Sequence, residues 1–251
     1  MRNKKGQISY FMLVGIVIII TGAFFIFLNS SQQVIPDFSI SNDVKPFYLS
    51  FEKCIETTTY NGIREIGLKG GFLDFQDPHF TSNSVKVNYA LYNESITFPE
   101  LYEIELYLDE YIANNISDCI DFSQFKNFKF NDNGIRVNST INTETINVLI
   151  DWDLELEKSS QNVKSIYHLP ATYRKYPISF INIYSITESI AIKSLLDPDY
   201  VDVIFLLGQY SNITYSVYNN DTVVFLITDN EVFENQPYNF VFGVGRGSEN
   251  E

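Results

Sequence analysis

Two cysteines, two histidines and two sets of spaced carboxylates are the side chains in this 251-residue chain whose types and positions could do chemistry. Cys54 and Cys119 lie far apart, with no neighbouring thiol to make a redox or zinc motif. His79 and His168 are isolated, without a cysteine or carboxylate at metal-ligand spacing, and read as surface or satisfied core residues. Asp151, Asp153, Glu155 and Glu157 recur at every second position, so on a strand all four share one face. There they repel, and a cation, a cross-strand lysine or plain solvation must relieve them. Asp197, Asp199 and Asp202 could hold calcium, or could mark a helix end running into an Asx-type turn. Solvation and turn chemistry are the simpler assignments, so no metal and no cofactor is expected. No triad signature, Gly-x-Ser-x-Gly elbow or phosphate loop appears. Gly243-Val244-Gly245-Arg246-Gly247 follows a strand but runs into the charged terminus with no helix to bind an anion, and reads as a flexible tail. The chain is therefore not expected to be an enzyme.

Asparagine supplies a different chemistry. Asn29, Asn93, Asn115, Asn138, Asn212 and Asn220 each begin an Asn-x-Ser/Thr triplet, the acceptor pattern for N-glycosylation. Asn29 adjoins an apolar run and is the weakest; Asn93 and Asn220, in turn-like surroundings, are the strongest.

The element that would put these residues outside a cell is at the start. From Ile8 through Leu28 the side chains are apolar or small, and the next charge is Asp37. As a helix with about 1.5 Å rise per residue this stretch spans roughly 31 Å, the thickness of a hydrocarbon core. Arg2, Lys4 and Lys5 flank it on the N-terminal side, so the positive-inside rule keeps the N-terminus cytoplasmic and exports the residues after Asn29. The formal net charge is -14, and removing those three cations leaves 14 basic against 31 acidic residues in the exported part. Such a surface repels nucleic acid. Outside the membrane a disulfide between Cys54 and Cys119 is the simplest assignment, two buried free thiols being the alternative. Closing that loop of about 65 residues stabilises the fold by about 4 kcal/mol on the chain-entropy argument.

Lys4-Lys5-Gly6-Gln7 ahead of an apolar run resembles a class III, prepilin-type leader, the mark of type IV pilin-like proteins and especially of archaeal ones. The resemblance covers about twenty-five residues. It implies cleavage between Gly6 and Gln7 by a prepilin-type peptidase, a mature chain that keeps its apolar helix in membrane lipid, and copies of itself or other pilin-like subunits as partners. The fifth mature position, a glutamate in many pilins, is Phe11 here, so the likeness extends to processing and anchoring rather than to subunit register. Phe51, Cys54, Ile55, Glu56, Gly62, Ile63, Ile66, Gly67, Gly70 and Gly71 also resemble a segment of uncharacterised membrane-anchored archaeal proteins with the same leader, which implies topology and no activity.

Beyond Pro36 the spacing predicts a helix capped by Asn42 or Asp43, with Phe47, Phe51, Ile55, Thr58 and Ile66 on one face and a stop at Gly70-Gly71. Lys86 to Tyr92 reads as a short strand. Thr97 and Glu100 form a capping box, with Pro99 in the first turn of a second helix whose inward face carries Leu101, Ile104, Leu108, Ile112 and Cys119. Asn133-Gly134 is the strongest hairpin signal, and Ile146 to Leu156 alternates as a strand with one wet face, Leu149 being its apolar exception. Ile178 to Leu196 reads as a third helix, and Val201 to Leu207 as a buried strand or short helix. Asn212 to Tyr218, Thr222 to Thr228 and Tyr238 to Val244 form an antiparallel set. The expectation is α+β: a basic leader at 1–6, a transmembrane helix at 7–29, a linker at 30–42, one ectodomain of about three helices and an antiparallel sheet at 43–245, and a tail at 246–251. The expected role is a membrane-anchored extracytoplasmic pilin-like or pseudopilin-like surface protein, structural, filament-forming or adhesive. The alternatives are a monomeric signal-anchored binding module and, needing a polar pocket the sequence does not advertise, an extracytoplasmic enzyme.

Overall fold

Helix α1, Lys45–Leu68, runs between two sheets and holds both. The computed structural model describes residues 41–82, 85–160, 163–197, 202–208, 212–218, 221–233 and 236–245. The leader, the apolar run, most of the linker, the tail, and Asn29, Asp199 and Asn220 lie outside these. Among the described residues no helix is long and apolar enough to cross a membrane.

The predicted stripe of α1 is its buried face: Phe47, Phe51, Ile55, Thr58 and Ile66 are all inside. Its cap differs from expectation. Val44 takes the N-cap position without a side-chain bond, because Asp43 turns instead to Lys158 at 2.9 Å. The stop is as predicted: Gly70 and Gly71 adopt positive φ, and the Gly71 amide donates back to the Ile66 carbonyl at 2.9 Å.

The first sheet has six strands: β1 (His79–Ser82), β2 (Val85–Tyr92), β3 (Ser95–Ile96), and after the second sheet β8 (Asn212–Tyr218), β9 (Thr222–Phe233) and β10 (Gln236–Gly245). Its order is β1-β2-β10-β9-β8, with β3 also on β2. The antiparallel set at the tail is present, but β10 runs parallel to β2, so this sheet is mixed rather than antiparallel. Gly243 and Gly245 are part of β10, not a flexible tail. A Cβ there would lie 2.9 Å and 2.5 Å from the Tyr89 ring, which crosses these glycines so that its hydroxyl meets Thr222 Oγ1 at 3.1 Å.

The second sheet comprises β4 (Phe128–Ile141), β5 (Ile146–Ser160), β6 (Val163–His168) and β7 (Thr172–Tyr176), with β4 and β6 flanking β5 and β7 also paired to it, all antiparallel. Asn133-Gly134 makes no hairpin. The register passes from Asp132↔Leu154 to Ile135↔Trp152, so these two residues form a bulge opposite Asp153 alone. Asp132 Oδ1 secures it by accepting from Gly134 N at 2.9 Å and Trp152 Nε1 at 2.9 Å. A positive-φ glycine serves a bulge as well as a turn. The two-residue turn with both central φ positive sits at Asn93 (φ 48) and Glu94 (φ 63), joining β2 to β3.

Helix α2, Leu101–Asn115, has its capping box one turn later than predicted, between Glu100 and Glu103. Thr97 is drawn away by β2, its amide donating to Ala90 O at 2.9 Å and its hydroxyl to Tyr89 O at 2.6 Å. α3 covers Phe180–Leu196, and the ambiguous apolar stretch contains the short helix α4, Val203–Leu207, with Leu206 buried and Ile204 and Leu207 exposed. By its contacts Ser41–Glu251 is one unit.

Packing explains why α1 is central. Phe47 sits among Phe122, Phe125 and Phe130, and Phe51 meets Trp152, which ties the first half of the helix to the second sheet. The other half rests on β10 through Gly67 and on α2 through Gly62, where side chains would strike Tyr238 and Asn239, and Tyr111, respectively. Asn88 of β2, almost fully buried, accepts from Gln76 N at 2.8 Å and donates to Lys69 O at 2.7 Å and Asp74 O at 3.1 Å. It thereby fixes the chain leaving α1 onto the first sheet.

Candidate functional site

The two cysteines come together as a disulfide between α1 and the 3-10 turn Ser117–Cys119, with Cα atoms 5.7 Å apart. Cys54 is buried on the inward face of α1, as predicted. Cys119 is not on the inward face of α2. That helix ends at Asn115, the chain tightens, and Cys119 is carried to an exposed position where Thr58 Oγ1 donates to its sulfur at 3.4 Å. The bond closes a loop that contains β1, β2, β3 and α2 and locks α2 onto α1.

The outer face of the second sheet gathers more of the residues singled out in the sequence. Ile146, Val148, Ile150, Trp152, Leu154 and Leu156 are buried, which turns Asp151, Asp153, Glu155 and Glu157 outward. Their repulsion is relieved by neighbouring strands: Arg136 of β4 bonds Asp151 at 2.6 Å, Lys164 of β6 bonds Glu157 at 2.9 Å, and Asn131 Nδ2 donates to Glu155 at 3.3 Å. In the same face Asn138, Leu149 and Tyr173 stand side by side across β4, β5 and β7. Leu149 is 42% and Tyr173 50% exposed, an apolar strip in a polar sheet.

Of the second acidic set, Asp197 follows the last turn of α3 and Asp202 caps α4. Asp202 accepts from Lys193 Nζ at 2.8 Å and from Phe205 N at 2.9 Å, and these bonds, Lys193 first, hold its carboxyl below the ordinary range. Among the described residues no group of three His, Cys, Asp or Glu is placed to hold a metal. The recess beneath α4, lined by Ile190, Lys193, Asp202, Phe205, Leu206 and Phe225, offers about 10 Å³, the room of one water. His79 does have a carboxylate neighbour, Asp77 at 3.2 Å, and stacks near Phe75; His168 is exposed opposite Glu155.

Four sequons fall on described residues, and their surroundings differ. Asn93 lies exposed in the tight β2–β3 turn, its backbone N–H donating to Gly245 O at 3.2 Å. Asn115 Nδ2 is committed to the Tyr111 carbonyl at 2.7 Å. Asn212 is exposed at the start of β8, and Asn138 is exposed toward the end of extended β4.

Sequence reasoning missed the device that protects the edge strand β4. Asp109 Oδ1 accepts from Ser139 N at 2.7 Å and Glu105 Oε1 from Ile141 N at 2.7 Å, so two carboxylates of α2 cover backbone donors of an unpaired edge. Burial raises the Asp109 carboxyl above its ordinary value despite the Ser139 bonds. Their i, i+4 spacing on the polar side of α2 was the available signal. Tyr176 and Tyr238 are core phenols, Tyr176 pushed up by burial to about 12 and Tyr238 further by complete burial and the nearby Asp229. Compared with protein families, with curated proteins and with solved structures, the chain finds no match.

Proposed function

We propose that the chain is a membrane-anchored extracytoplasmic protein of pilin-like or pseudopilin-like class, with a structural, filament or adhesive role. The observation that carries this reading is the order Lys4-Lys5-Gly6-Gln7 followed by an uncharged apolar run from Ile8 to Leu28. The helix anchors the subunit in lipid with the N-terminus cytoplasmic, a prepilin-type peptidase cuts after Gly6, and the acidic α+β domain stands outside the membrane. A disulfide in a domain of ordinary core size accords with an oxidising exterior. The mechanism is mechanical: the apolar helix first holds the subunit and then packs against copies of itself, with Gly15 and Gly22 permitting close approach. Phe11 at the fifth mature position favours a second reading, a monomeric anchored binding module that never enters a filament.

N-terminal mass spectrometry of protein from native membranes tests the first reading. A chain beginning at Gln7 is expected. An intact Met1 leaves a plain signal anchor, and a start beyond Leu28 refutes anchoring altogether. Sedimentation of the mature protein then separates filament from monomer.

A further inference from the structure

We propose that Asn138 carries an N-linked glycan whose first sugars lie across Leu149 and Tyr173. The inference rests on the exported reading, since acceptor asparagines are modified only outside the cytoplasm. Three observations together point to this sequon. Asn138 and Thr140 are both exposed and, being two apart on a strand, present amide and hydroxyl on the same face, while Ser139 between them is buried. The side-chain amides of Asn138 and Asn93 are free of hydrogen bonds among the described residues, whereas Asn115 is committed to its own helix and Asn212 has a partner; Asn93 sits in the two-residue β2–β3 turn and not on an extended strand. Its direct cross-strand neighbour is Leu149, the one apolar residue in the outward row of β5, and the next across is Tyr173. A strip about two strand spacings, roughly 10 Å, long therefore starts at the point of attachment.

The strip's chemistry fits a pyranose laid flat. The C–H face of a sugar ring buries apolar surface against Leu149 and the Tyr173 ring, and its hydroxyls reach the polar rows on either side. Those rows are Thr140, Asn147 and Lys175 on one flank and Arg136 with Asp151 on the other. Leu149 and Tyr173 are both about half exposed and adjacent across β5 and β7, which leaves apolar surface for a sugar ring to cover. With the glycan in place they orient it along the sheet and are themselves shielded from other chains.

The experiment uses full-length protein from native membranes. Cleavage after Arg136 and Lys158 releases one peptide, 137–158, with Asn138 as its single acceptor triplet. Its mass is expected to carry a glycan. An unmodified peptide 137–158 overturns the proposal, and if that protein starts at Gln7 the anchored reading survives the failure. The platform is tested by nitration of Tyr173, with Tyr215 as an internal control of similar exposure. Asn138→Gln and Thr140→Val, either of which removes the acceptor, are expected to speed Tyr173 nitration several-fold and leave Tyr215 unchanged. Equal Tyr173 rates in glycosylated and unglycosylated protein would overturn the stacked arrangement.

Discussion

Gly67→Ala sets two effects of known sign against each other at the joint between α1 and the first sheet. Replacing a mid-helix glycine by alanine stabilises an unhindered helix by about 1 kcal/mol, because the backbone loses less freedom on folding. Here the added Cβ would stand 2.5 Å from the carbonyl oxygen of Asn239 and 2.5 Å from the Tyr238 hydroxyl. Ordinary contact is roughly 3.5–4 Å, so the helix must withdraw by about 1 Å. Neither obstacle moves easily, since Asn239 lies in β10, hydrogen-bonded on one side to β9, and Tyr238 is buried against Phe180. Overpacking costs about 1–3 kcal/mol, and the upper part of that range, about 2–3 kcal/mol, applies where the obstacle is the backbone of a paired strand. The clash wins, and a net loss of about 1–2 kcal/mol is expected, a fall in Tm of about 2–8 °C for a domain of this size. Urea unfolding followed by near-ultraviolet circular dichroism reads it as a lower midpoint at unchanged slope. Adding Tyr238→Phe, which removes the hydroxyl at 2.5 Å, a buried group lacking a partner, but keeps the ring carbon at 2.8 Å, should recover a small part of the loss. A Gly67→Ala protein as stable as the parent would refute the close approach of α1 to β10 and with it the central place of the helix.

Three further outcomes are expected from the same structure. Cys54→Ser or Cys119→Ser should each lower the unfolding free energy by about 4 kcal/mol on the chain-entropy argument, and reductant should then have no added effect; a loss in only one variant would argue against the bond. Asn88→Asp keeps the acceptor for Gln76 N but sets a buried anion against the carbonyls of Lys69 and Asp74, so a loss of about 2–4 kcal/mol is expected by calorimetry, with proteolysis first appearing after residue 69. For Asp109 the sign of the pH effect is fixed by its raised carboxyl: the folded state holds the proton more tightly, so its contribution is complete below the ordinary value of 3.8 and is lost as pH rises through the folded value. Asp109→Asn, which still accepts from Ser139 N, should therefore match the parent at pH 3 and equal or exceed it at pH 7; a variant that loses stability only at neutral pH would reverse that sign.

The sequence alone determined what is local. The stripe of α1 and the alternation of β5 were legible because a helix and a half-buried strand each impose a fixed period on where apolar side chains fall. The Gly70-Gly71 stop was legible because few other residues accept those φ values. Asn133-Gly134 was misread for the same reason, since positive φ marks a bulge as readily as a hairpin. Asn93-Glu94, which does make the turn, lacks the glycine that usually advertises one. Of the outer face, the four carboxylates of β5 were visible, but not Arg136 and Lys164 opposite them. Nor could Asn138 be seen to adjoin Leu149 and Tyr173, because register between strands is set by the whole core and not by neighbours in the chain. Only the tertiary structure decided that β10 joins β2 in parallel, that the glycines of β10 make room for Tyr89, and that carboxylates of α2 cover the edge of β4. Each of those depends on backbone groups meeting across long stretches of chain, where burial and hydrogen bonding choose among pairings that no local pattern distinguishes.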